Sequence, residues 1–136
     1  MEGKEQVYQP AENDRIRWVR YVLIVLVAEK IVQHIFVTLA FFFDWQGIGA
    51  TVAVNPQVLL VLGAIAAILF ALSLWGLLSQ QKWAVNLIIG LALFDIIGEF
   101  VAQGTMGIVI NVSFLVATVL LILALFYRWQ AAKLER

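Results

Sequence analysis

Residues 17–43 read RWVRYVLIVLVAEKIVQHIFVTLAFFF. The run is longer than the roughly 20 residues an α-helix needs to cross the hydrocarbon core of a bilayer. Its two ends differ in kind. Arg15, Arg17 and Arg20 stand at the first, whereas Phe41, Phe42, Phe43, Asp44 and Trp45 stand at the second. Between them lie Glu29, Lys30, Gln33 and His34, polar groups in the middle of an apolar segment.

Three further apolar runs follow, and the reading predicts an all-α integral membrane four-helix bundle. Its helices are expected over about 17–43, 56–79, 83–103 and 106–129, forming one transmembrane domain over 17–129. A polar segment, 1–16, precedes it and a polar tail, 130–136, follows. Asn55-Pro56 is a helix-start signal, because Asn caps and Pro fits the first helical position. Residues 80–82 and 104–105 are tight links, so helices two and three, and three and four, should be antiparallel neighbours. The connection from Asp44 to Asn55 is the only sizeable one. Residues 41–45 offer no small-residue cleavage site, so the first helix is expected to be retained rather than removed as a signal peptide.

Charge sets the expected orientation. Of nine Lys and Arg residues, eight fall on one side of the four spans and only Lys30 lies within one. By the positive-inside rule both ends should face the cytoplasm of a multi-pass cell-membrane protein. Trp18, Tyr21, Trp75, Trp83, Tyr127 and Trp129 line that face, and Trp45 stands nearly alone on the other.

Composition excludes several classes. The chain is 63% hydrophobic and 13% charged, a balance far from that of a soluble domain and suited to lipid as the surrounding solvent. There is no basic stripe interleaved with aromatics, so nucleic acid is not an expected partner. The lack of Cys removes disulfides, Fe–S clusters and thiol nucleophiles, and a lone His removes a bis-histidine haem held by this chain. No cofactor is predicted.

The candidate site is the set of ionisable groups in the spans. Glu29, Lys30, Gln33 and His34 fill an arc of about 140° on helix one at the 3.6-residue period, and Asp95, Glu99 and Gln103 form a stripe on helix three. A rise of about 1.5 Å per residue puts His34 and Asp95 at nearly equal depth, with Glu99 further out and Asn111 near its level. Each such charge costs roughly 2.5–3.5 kcal/mol to insert, so a purely packing role would be met more cheaply by Leu or Val. Three carboxylates face one Lys and at most one imidazolium, and the surplus has to be balanced by protons, a cation, water or a cationic partner.

The expected function is therefore a proton- or cation-binding transport or coupling component. Glu29, Asp95 and Glu99 would bind the ion, and Lys30 and His34 would tune that binding. The alternative is a non-catalytic accessory or assembly subunit of a larger membrane complex, its charges paired internally or with a partner. A homo-oligomer or other membrane subunits are the expected partners besides lipid. A metal role for His34, Asp95, Glu99 and Glu29 stays open, although the Glu-x-x-His spacing of di-iron bundles is missing. An enzyme is not predicted: Ser73 lies toward the cytoplasm and Ser113 outward, leaving His34 and Asp95 without a nucleophile at their depth. Gly63, Ala67 and Ala71 on helix two form a small-residue stripe for helix packing, within the bundle or in a dimer.

Four short helices with a mid-membrane Glu29 in the first resemble the small multidrug resistance transporters. The likeness rests on Glu29 alone. The longer first loop, the cytoplasmic tail and the Asp95–Glu99 pair depart from that family, and the one-sided basic charge excludes the dual insertion of some of its members. The chain is not assigned to it.

Overall fold

The structure is a computed structural model that describes residues 14–104 and 112–134. Four α-helices make up the fold: α1 (Asp14–Phe42), α2 (Pro56–Leu78), α3 (Lys82–Gln103) and α4 (Val112–Leu134). A kinked 3₁₀ segment, Trp45–Thr51, follows α1. All four α-helices are long and apolar enough to cross a membrane.

Local chemistry explains the boundaries. The side chain of Asn55 accepts the N–H of Gln57 at 2.9 Å, and Pro56 takes the first helical position, where its missing N–H is not needed. α3 stops at Gly104, which adopts a left-handed φ of 66° and returns its N–H to the Phe100 and Val101 carbonyls. Two ends run past the expected spans. α1 already includes Asp14, whose carboxylate holds Arg17 at 2.9 Å, and α4 continues through Leu134 rather than ending at Trp129. Residues 130–134 are helix formers without a Gly or Pro stop, and Lys133 lies 3.5 Å over the Trp129 ring. Lipid sets where a hydrophobic span ends; hydrogen bonding sets where the helix ends. The expected start of helix four, from Met106, lies outside the described residues.

Each helix packs mainly on its sequence neighbours, and α4 closes the ring onto α1. α1 and α3 therefore face each other across a diagonal with little direct backbone contact. The core is not spread evenly along the bundle. Leu23, Val27, Phe70, Leu77, Ala84, Val85, Ile88, Leu91, Ala92, Leu120 and Ala124 are its buried residues. Apart from Leu120, near the middle of α4, these lie in the half where α1 and α3 begin and α2 and α4 end, the half that carries the loop Arg and Lys residues; toward the other end the small residues Ala40 and Ala117 are buried. The outer faces of the helices are apolar and exposed, with Val32 and Ile68 both at 68%. Such a continuous apolar surface suits hydrocarbon rather than water.

The α2–α3 hairpin closes tightly. A Cβ on Gly76 would lie 2.7 Å from the Trp83 ring and 2.9 Å from the Ala84 Cβ. Gly76→Leu should force these helices apart at a cost of about 1–3 kcal/mol, the usual range for overpacking. Detergent melting should show a lower Tm for the variant; an unchanged Tm would mean the hairpin is looser than described.

Candidate functional site

The polar groups of α1 and α3 meet across the diagonal. His34 Nε2 lies 3.0 and 3.2 Å from the two Asp95 carboxylate oxygens, and Lys30 Nζ lies 3.1 Å from Oδ2. A carboxylate can only accept, so His34 Nε2 is the donor to Asp95. The His34 ring also stacks on Phe70 of α2, with centroids 5.4 Å apart. The ring is thus held by an ion on one helix and an aromatic face on another.

Lys30 is the anchor of the group. It is fully buried (0% exposed), and the Asp95 side chain is only 5% exposed. Besides Asp95, its ammonium reaches Gln33 Oε1 at 2.9 Å, the Ser113 carbonyl at 3.1 Å and Ser113 Oγ at 3.2 Å. One side chain of α1 thereby ties α3 and α4 together. It does not snorkel toward the basic end of the bundle; it extends the other way, toward the level of His34.

By helical rise alone Ser113 lies outward of His34 and Asp95. The long Lys30 stem closes that gap in depth, so the hydroxyl does belong to the cluster. It is not thereby a nucleophile. The nearest nitrogen is an ammonium already paired with Asp95, which donates to Ser113 instead of taking its proton.

Beside this cluster lies a cavity of about 630 Å³. Gln33, His34, Asp95, Glu99, Gln103 and Ser113 supply its polar wall, and the remainder is mostly Val, Leu, Ile and Phe. Gln103 donates to Glu99 Oε1 at 2.8 Å, one turn along α3. Thr51, Val52 and Val54 close the cavity at the loop end, where the Ala53 N–H bonds the Ala102 carbonyl at 2.9 Å. The cavity occupies the half of the bundle opposite the apolar core.

The expected site is thus partly assembled. Lys30, Gln33, His34, Asp95, Glu99 and Gln103 come together around or under the cavity. Glu29 does not line it; its Oε2 is enclosed without a hydrogen-bond partner among the described residues. Asn111 lies outside the described residues. Gly63 is on the cavity wall and faces α1, its absent Cβ pointing within 3.0 Å of Thr38 Oγ1. Ala67 is half-buried and Ala71 exposed, so the small-residue stripe turns out of the bundle, and Ala66, Phe70, Ser73, Gly76 and Leu77 form the buried face of α2 instead. Among the described residues no three His, Cys, Asp or Glu side chains converge as a metal site. Phe70 and Ser113 were not anticipated as neighbours of the charges. Phe70 had no signal beyond being one of many apolar residues.

The chain matches no protein-family model, no curated protein and no solved structure.

Breaking a buried ion pair from one side costs about 3–5 kcal/mol, because the other charge is left behind. Lys30→Met and Asp95→Asn should each be strongly destabilising in detergent melting. The double variant should lose clearly less than the sum, by a coupling of about 0.5–3 kcal/mol. Strict additivity would mean that the two groups do not meet.

Proposed function

We propose that this is a small multi-pass membrane protein that binds a proton or cation from one side of the membrane, as a transport or coupling component. The observation that carries the reading is the direction of the polar groups. Gln33, His34, Asp95 and Glu99 line the chain's own cavity, with Lys30 behind Asp95, whereas charges meant for a partner helix would lie on the outer faces. Those faces are apolar.

Charge balance supports the same reading. Lys30 offsets Asp95, and Glu99 adds a further carboxylate to the cavity wall. No Lys or Arg occurs between Lys30 and Lys82 or between Lys82 and Arg128, so the loops at the cavity end supply no compensating side chain. Protons or cations are then the natural occupants. In this reading His34 and Asp95 pass a proton to and from the cavity, Glu99 holds the exchanged ion, and Lys30 positions Asp95 from behind.

The orientation proposed is the one that loop charge favours, with both ends of this sequence in the cytoplasm of a cell-membrane protein. The apolar core then fills the cytoplasmic half, and the cavity lies toward the outside. An accessory role in a larger complex is the second reading, in which the Lys30–Asp95–His34 cluster serves to fix the register of the helices.

Purified protein in detergent should release protons when a cation is added at constant pH, within about pH 5–9, the range spanned by carboxyl and imidazole groups in proteins. Glu99→Gln should abolish that release. Absence of both proton release and cation binding would leave the cluster as a structural network. A reporter active only outside the cytoplasm, fused after Arg136, should stay silent; activity would reverse the orientation.

A further inference from the structure

The cavity reaches the side of the bundle between α2 and α3, and what stands at that edge is informative. Val58 and Leu62 on α2, with Phe94, Ile97 and Val101 on α3, line the cavity and are also exposed, Ile97 at 60% and Val101 at 56%. On each helix these positions recur at three- or four-residue spacing, so each set forms one lip along one face. The two helices are pinched together at Gly76 and Trp83, and loop residues 51–54 intervene between their other ends. An apolar slit between those two closures opens onto the apolar outer surface.

From this geometry we infer that the cavity admits a lipophilic organic cation from within the bilayer through the α2–α3 slit. The ammonium of the occupant lies at Glu99, beside the Lys30–Asp95 pair, and its hydrocarbon lies along Val58, Leu62, Ile97 and Val101. The inference rests on the cation-binding reading above and names the class of cation. Three features select that class. The volume of about 630 Å³ is that of a site for a drug-sized molecule, far larger than a proton or a bare metal ion requires. Along this apolar route an occupant with a hydrocarbon body is favoured over strongly hydrated ions, which would have to shed water among Val and Ile side chains. Lys30 already offsets Asp95, Glu99 adds a second carboxylate, and no Lys or Arg lines the wall among the described residues, so the head group that complements it is a cationic hydrogen-bond donor.

The test uses the full chain in nanodiscs of zwitterionic lipid, with empty nanodiscs as the blank. The probes are a fluorescent long-chain primary alkylammonium and the alcohol of the same skeleton. The ammonium should bind saturably and about tenfold or more tighter than the alcohol, the difference expected of a hydrogen bond to a charged group. Glu99→Gln should remove that preference, and Ile97→Trp at the slit should weaken or slow binding of the ammonium. Equal binding of the two probes, or binding indifferent to both substitutions, would overturn the inference. If inorganic cations still release protons while the alkylammonium does not bind, the lipophilic-cation inference fails and the broader cation reading survives. If neither probe nor cation acts, both fall.

Discussion

A fully buried ammonium is the constraint around which this bundle is organised. Lys30 has no access to solvent, and an uncompensated charge in that position is among the costliest features a fold can carry. Its demands are met from three directions: Asp95 on α3, Ser113 on α4 and Gln33 one turn along its own helix. The helices that must converge to satisfy it are then held in one rotation and one depth. His34 follows from the same geometry, sharing Asp95 with Lys30 and resting on Phe70. Polar contacts of this kind define the register of helices whose outer surfaces, largely apolar, say little about how to rotate.

The position of the cluster also divides the bundle into unlike halves. Toward the basic end the space is filled by Leu23, Val27, Phe70, Ile88 and Leu91, all buried. Toward the loop end it is left open as the cavity. In the proposed reading, a proton or cation held at this site would lie in the open half of the bundle, with a packed apolar barrier toward the basic end. A transport cycle would require that barrier to open; a sensing or coupling role would not. The compact closure at Gly76 and the longer loop at the cavity end are consistent with the same division, tight where the core is dry and roomier where the site lies.

Much of the fold was legible in the sequence because span length and basic asymmetry are one-dimensional signals. The four helices, the Asn55-Pro56 start and the pairing of α2 with α3 needed no tertiary information. The equal depth of His34 and Asp95 was also legible, since helical rise is uniform. Three things were not. Ser113 was missed because depth was counted between backbones, and a Lys side chain spans several residues of rise. Glu29 was grouped with Lys30 although the two lie about 100° apart on the helix, too far to share one focus, while Lys30 and His34 differ by only about 40°. The cavity itself is a property of how α2 and α3 separate above Gly76, which no single helix encodes.

The central claim is that Lys30 and Asp95 meet across the α1–α3 diagonal. Solid-state NMR in lipid can measure it directly, with ¹⁵N at every Lys Nζ and ¹³C at every Asp carboxyl. The chain has four Lys and three Asp residues; Asp14 is bonded to Arg17, and Asp44 to the Gly49 N–H. One Lys resonance should show strong nitrogen–carbon dipolar coupling, matching an N–O separation of 3.1 Å, and that resonance should vanish in Lys30→Met. Uncoupled Lys nitrogens throughout, or a coupling that survives Lys30→Met, would contradict the account.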